Sequence, residues 1–225
     1  MNPAISTLRR LYRHIHPSRC LLCEGRSEDW FCTGCIHDLP TLDAQHSRLH
    51  AVNAPAFAAL QYDFPVDQLL QAFKYTGKLS LATPLAALMW STPEFQALPE
   101  HTLLIPVPSS PDRLKLRGFD HMRMLTQELC ALSGLSVWNG LVKTSGHAQK
   151  GQSRVSRLES VRGRYRLSAQ AQRKGLPQRP FALIDDVCTT GASLNACIDV
   201  LNRAASPADQ APLELCAFVL ASERL

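Results

Sequence analysis

The stretch FALIDDVCTTGAS, residues 181–193, decides how the rest of the chain is read. Phe181, Ala182, Leu183 and Ile184 have the apolar, branched character of a buried strand, which ends in two adjacent carboxylates, Asp185 and Asp186. Val187 and Cys188 are expected to turn the chain. Thr189, Thr190, Gly191, Ala192 and Ser193 then open an amphipathic segment that reads as a helix over 192–204. In an open α/β sheet, ligands bind where strands end and helices begin. The first N–H groups of a helix lack partners within it and lie at the positive end of its dipole, so they favour a phosphate. Small residues let the phosphate approach, and hydroxyls add donors. Two acids beside such a nest are repulsive unless the ligand brings hydroxyl groups and a cation. A sugar phosphate with Mg2+ supplies both. The plainer alternative is a strand end whose acids cap a helix and a turn. Strand, two acids, two spacers, TTGAS and amphipathic helix together are more specific than that.

Outward from this stretch, apolar and amphipathic segments alternate. Residues 56–62, 102–107, 180–186 and 213–221 read as strands, and 66–75, 79–90, 118–134 and 192–204 as helices. The alternation predicts an α/β domain, a mostly parallel sheet flanked by helices, over residues 51–225. Apolar content of 45% and charged content of 19% allow a sizeable core, and the net charge of +5 permits an anionic partner without demanding one. The first twenty residues lack a continuous apolar stretch of signal-peptide length, and no window approaches a bilayer-spanning run. A cytoplasmic protein without membrane insertion is expected.

Residues 1–50 differ in composition, being rich in Cys, His and Arg, with a short helix expected at about 5–15. Cys20, Cys23, Cys32 and Cys35 form two C-x2-C pairs separated by eight residues. Each pair can turn two thiolates toward one tetrahedral point, so a small structural Zn2+ module is expected, with a redox-active pair as the alternative. Such a module is folded by its metal, because it is too short to hold a core. His14, His16 and His37 lie nearby as substitute ligands or as surface histidines. Between residues 143 and 179, ten basic residues face a single acid, Glu159, a local balance of +9.

The chain resembles the ComF/GntX-like branch of the type I phosphoribosyltransferases, which pair a zinc knuckle with a phosphoribosyltransferase domain. The landmarks run in order: the four cysteines, FKYTGKLSLA (73–82), IPVPSSPDRLKLRGFD (105–120), a basic stretch from about Gln149, and FALIDDVCTTGAS. The resemblance implies the type I phosphoribosyltransferase fold and a Mg2+-dependent transfer of a phosphoribosyl group from phosphoribosyl pyrophosphate (PRPP). Asp185 and Asp186 would hold the ribose hydroxyls as catalytic carboxylates, and Thr189, Thr190, Gly191, Ala192 and Ser193 would cradle the 5-phosphate. Val107, Pro108, Ser109 and Ser110 would lie against pyrophosphate, with Arg113 and Arg117 as its charge partners. Lys74 and Lys78 match a basic landmark of the family. Family members are also linked to single-stranded DNA uptake in competence, sometimes beside a competence helicase. For that role Arg154, Arg157, Arg162 and Arg164 are the candidate contacts. The same basic segment would otherwise form a hood over PRPP, or a solvated loop. Asp120 and His121 depart from the Asn-Gln that commonly follows Arg-Gly-Phe in the family, and Ser160 and Gly163 stand near a position often held by asparagine. Nothing in the sequence names the acceptor.

Overall fold

The computed structural model describes residues 19–43, 46–145, 163–205 and 213–223. Helix α1 (Thr33–His37) belongs to the cysteine-rich segment. Then come β1 (Ala56–Gln61), α2 (Val66–Tyr75), a 3-10 turn (Leu79–Leu81), α3 (Ala82–Trp90), α4 (Pro93–Gln96) and β2 (Leu103–Pro106). Helices α5 (Pro111–Arg117) and α6 (His121–Ser133) precede β3 (Ser136–Val137), β4 (Leu141–Lys143), β5 (Tyr165–Leu167) and α7 (Ala169–Lys174). They are followed by β6 (Phe181–Cys188), α8 (Ala192–Ala204) and β7 (Leu215–Ser222).

Five strands form one sheet in the order β1-β7-β6-β2-β3, and every pairing is parallel. The expected α/β architecture is present. Strand β6 lies at its centre and is covered on both faces, which is why it reads as an unbroken apolar run rather than an alternating one. Phe181 and Leu183 pack with Leu194, Cys197 and Leu201 of α8. Ala182 and Ile184 pack on the other side with Phe73, Leu85, Met122 and Leu125 from α2, α3 and α6. Strands β4 and β5 form a separate antiparallel hairpin, and β5 lies against α8.

Strand order reverses between β2 and β6: the chain leaves β2 toward β3 on one side, while β6 leads to β7 on the other. Such a switch opens a crevice at the carboxyl ends of the two strands. The Val107 N–H donates to the Ile184 carbonyl at 2.8 Å, so the loop after β2 is tied to the strand that carries the acids.

Three departures from the sequence reading bear on the site. Strand β6 does not end at the acids. Val187 pairs with Ala221 and Cys188 with Ser222, so the long partner β7 keeps those two residues in the ladder where a turn was expected. The expected helix over 118–134 begins later and is preceded by another, α5. Ser110 caps α5 by accepting from the Arg113 N–H (3.4 Å), and Pro111 fills its first turn. Gly118, with φ 78°, ends it, and Asp120 caps α6 through the Arg123 N–H at 3.2 Å. The third departure is the β4–β5 hairpin, whose short strands flank a stretch without alternating apolar residues. The helix expected at 5–15, with His14 and His16, lies outside the described residues.

The cysteine-rich segment is packed onto the sheet. Cys20, Phe31 and Leu39 share a buried cluster with Phe73 and Ile184. Beyond it, Thr41 bridges to Leu60 and Arg48 to Phe57, so this stretch runs antiparallel along β1.

Candidate functional site

The carboxyl ends of β2 and β6 open into a cleft of about 400 Å3. Side chains alternate across a strand, so Asp185 and Asp186 leave β6 on opposite faces. Their surroundings differ accordingly.

Asp186 is 8% exposed and fully engaged. The Lys74 ammonium, at the end of α2, lies 2.9 Å from Oδ1. The His121 Nε2–H, from the first turn of α6, donates to Oδ2 at 2.7 Å. With Nε2 donating, Nδ1 of His121 is free to accept from the Arg117 guanidinium at 2.9 Å. Arg117 in turn lies over the Tyr75 ring, 4.8 Å from its centre. Burial alone would raise the pKa of Asp186, but the His121 hydrogen bond and the Lys74 charge hold it down to about 2.

Asp185 faces the hairpin and is only partly buried. It accepts a hydrogen bond from the N–H of Asp186, at 2.9 Å. Burial and repulsion from Asp186 raise its pKa to about 8, more than that N–H, Lys74 and Lys143 can offset. At neutral pH, with no ligand, one acid is ionised and its neighbour holds a proton. Mutual repulsion is relieved by splitting the two pKa values, a pattern shared by many functional carboxylate pairs.

The turn after β6 is shaped from a distance. Gly191 has φ 70°, and a Cβ there would stand 3.0 Å from the Ala51 carbonyl oxygen. Only glycine meets both conditions. Asn195, one turn into α8, donates to that carbonyl (2.8 Å) and accepts from the Asn53 N–H (2.7 Å). The residue 51–53 loop is thereby fastened to the N-terminus of α8. Thr189 and Thr190 stay exposed.

Of the residues expected from the sequence, Asp185, Asp186, Thr189, Ser193, Pro108, Ser109, Ser110, Arg113 and Arg117 line this single cleft. Thr190, Gly191 and Ala192 form the turn without lining it. Lys74 lines the cleft and Lys78 does not. Arg164 lies at the foot of the hairpin, where its carbonyl accepts from the Thr144 N–H at 2.8 Å. Arg154, Arg157 and Arg162 lie outside the described residues.

His121, Lys143, Tyr165 and Tyr75 line the cleft too, and sequence reasoning assigned them no part in it. His121 was visible as a departure from a pattern, and its spacing of four from Arg117 offered a signal. Nothing marked Lys143 among ten basic residues.

The four cysteines meet as their spacing suggests. Their sulfurs all lie within 4.8 Å of one another, with Cys23 and Cys32 at 3.7 Å. A tetrahedral ion with Zn–S near 2.3 Å would place sulfurs about 3.8 Å apart. Backbone N–H groups of Leu22 and Cys32 point at the Cys20 sulfur, at 3.4 and 3.3 Å. Burial opposes charge on Cys20, yet backbone hydrogen bonds win and lower its pKa to about 6. The cluster could hold a metal such as zinc. His37 is not part of it; its Nδ1 lies 3.2 Å from Asp38.

No family model matches the chain. The chain is 26% identical to competence protein F of Haemophilus influenzae over 211 residues, covering 82% of this chain and 91% of that protein. The cysteine cluster, the crevice and the TTGAS turn follow one another in the order the sequence resemblance implies. No helix among the described residues is long and apolar enough to cross a membrane.

Proposed function

We propose that the cleft binds PRPP with Mg2+ and transfers its phosphoribosyl group to a nitrogen acceptor. One observation carries the reading: the two acids, Thr189 and Ser193 of the TTGAS turn and the Ser109–Ser110 loop with its arginines all face one crevice at a strand-order switch. The turn takes the 5-phosphate, the β2 loop with Arg113 and Arg117 takes pyrophosphate, and the carboxylates take the ribose hydroxyls. Because Lys74 and His121 already hold Asp186, the open carboxylate is Asp185. The donor set suits Mg2+ that arrives with its substrate, since that ion favours one or two carboxylates plus phosphate oxygens. Bound there, Mg2+ would neutralise charge on the departing pyrophosphate. A C–N bond forms at the anomeric carbon as the C–O bond to pyrophosphate breaks, and the acceptor nitrogen loses its proton to solvent. Arg113 and Arg117 stabilise the leaving group, and ionised Asp186 offsets positive charge developing on the ribose.

The test is release of pyrophosphate from PRPP and Mg2+ across a panel of bases and small nitrogen nucleophiles. Release that requires an acceptor and is lost in Asp185→Asn supports transfer. No release across the panel refutes it. The cysteine cluster is read as a structural zinc site, so native mass spectrometry should find one zinc per chain.

A second reading is single-stranded DNA binding in competence, beside a helicase. It draws on the name of the Haemophilus relative and on exposed Arg166, Arg173 and Lys174. Under it, DNA affinity falls steeply with salt and falls further when Arg154, Arg157, Arg162 and Arg164 are neutralised. Salt-insensitive binding refutes it.

A further inference from the structure

The β4–β5 hairpin carries a cation that forms no ion pair among the described residues. Lys143 is half-buried at the end of β4 and lines the cleft. Its Nζ donates to the Tyr165 hydroxyl at 2.6 Å and lies 4.5 Å from the centre of that ring. Among the described residues no carboxylate comes within 4.0 Å of it, whereas Lys74, in the same cleft, meets Asp186 at 2.9 Å. Arg113 and Arg164 oppose its charge from α5 and from the hairpin, and Asp185 favours it from β6. Burial, aided by Arg113, pushes its pKa below the usual lysine value. An ammonium that is desolvated, unpaired and set beside guanidinium groups is unfavourable unless a ligand supplies the missing charge.

The position of that charge follows from Tyr165. This side chain is 4% exposed and so fixed in place. The Ser193 side chain, in the first turn of α8, lies close enough to act on its hydroxyl and oppose the rise that burial gives its pKa. Tyr165 thus joins Lys143 on the hairpin to the first turn of α8, on the face of β6 that carries Asp185. The arrangement sets the Lys143 ammonium, held by Tyr165, in the cleft beside the phosphate turn.

We propose that Lys143, positioned by Tyr165, binds the 5-phosphate of the sugar and completes the cradle begun by Thr189 and Ser193. The inference rests on the PRPP reading above and adds a residue to it. It also gives the hairpin a role, because β4 and β5 then face the phosphate end of the substrate rather than the pyrophosphate end.

Calorimetry on the full chain with three probes separates the two ends: ribose 5-phosphate, inorganic pyrophosphate and PRPP, each with Mg2+. Lys143→Met should weaken ribose 5-phosphate and PRPP by about tenfold or more, and leave pyrophosphate within about twofold. Lys143→Arg should recover most of the loss. Retained pyrophosphate affinity reports that the variant is folded, and Lys143→Gln keeps a polar end against Tyr165 should the methionine variant misfold. A loss confined to pyrophosphate, an equal loss for all three probes, or no loss at all overturns the assignment. Wild-type protein that binds pyrophosphate but neither sugar phosphate overturns the PRPP reading itself, and this inference with it.

Discussion

Asp185 and Asp186 are neighbours in sequence, but they serve two faces of one strand that are built to different degrees. On the Asp186 face, Lys74, His121, Arg117 and Tyr75 form a continuous chain of contacts, and each polar group has its partner. On the Asp185 face, an acid of raised pKa and a half-buried lysine stand near each other without forming an ion pair. The first face is finished before any ligand arrives and serves to position. The second is left incomplete, and a ligand carrying both hydroxyls and phosphate would complete it. The general lesson is that unmet charge inside a cleft locates a ligand better than a satisfied ion pair does.

The contrast can be broken most directly at Asp186. Asp186→Asn leaves a buried ammonium without its anion and should destabilise by about 3 kcal/mol, lowering Tm by roughly 6–12 °C at pH 7. Thermal unfolding followed by circular dichroism measures it. The pH dependence has a definite sign. The folded pKa of Asp186, about 2, lies below its unfolded value near 3.8, so its contribution is present above about pH 4 and lost as pH falls toward 2.

The next effect is smaller. His121→Leu removes the donor to Asp186 and the acceptor for Arg117 and should cost about 2 kcal/mol. His121→Gln retains one donor and one acceptor and should recover part of this. Equal loss in both variants would mean that His121 contributes packing alone, against Phe73, which meets it edge-on at 5.9 Å.

Asp185→Asn should change stability in the opposite direction. The folded pKa of Asp185, about 8, lies above its unfolded value, so the wild-type residue is progressively unfavourable to folding as pH rises from about 4 to about 8. The variant should match wild type at pH 4, become the more stable protein as pH rises, and hold a constant lead above pH 8. Melting curves in a series of buffers would show this. A variant less stable than wild type at pH 8 would abolish the contrast between the faces.

Much of the fold was legible because the sheet is parallel and buried. Runs such as LLIP and FALI can be neither loops nor surface strands, and α2 and α8 begin and end where their apolar spacing predicts. The cysteine cluster was legible for a different reason, since its ligands are close in sequence. What escaped was set by distant partners. The length of β6 depends on β7, the shape of the TTGAS turn depends on Ala51, and the role of His121 depends on a strand 65 residues away. The hairpin was hidden because strands of three residues carry too little alternation to be recognised. Lys143 has meaning only through what fails to surround it.

The central claim is that the Asp185 face is completed by PRPP and Mg2+. It is tested by titrating the full chain with PRPP and Mg2+ in two buffers of different ionisation enthalpy, at pH 7 and again near pH 9.5. Asp185 holds its proton in the free protein up to about pH 8 and must release it to meet a cation and hydroxyls. The account predicts saturable one-to-one binding with release of close to one proton at pH 7, fading to roughly none at pH 9.5. Absence of binding at millimolar PRPP, or binding at pH 7 with no proton released, would contradict it.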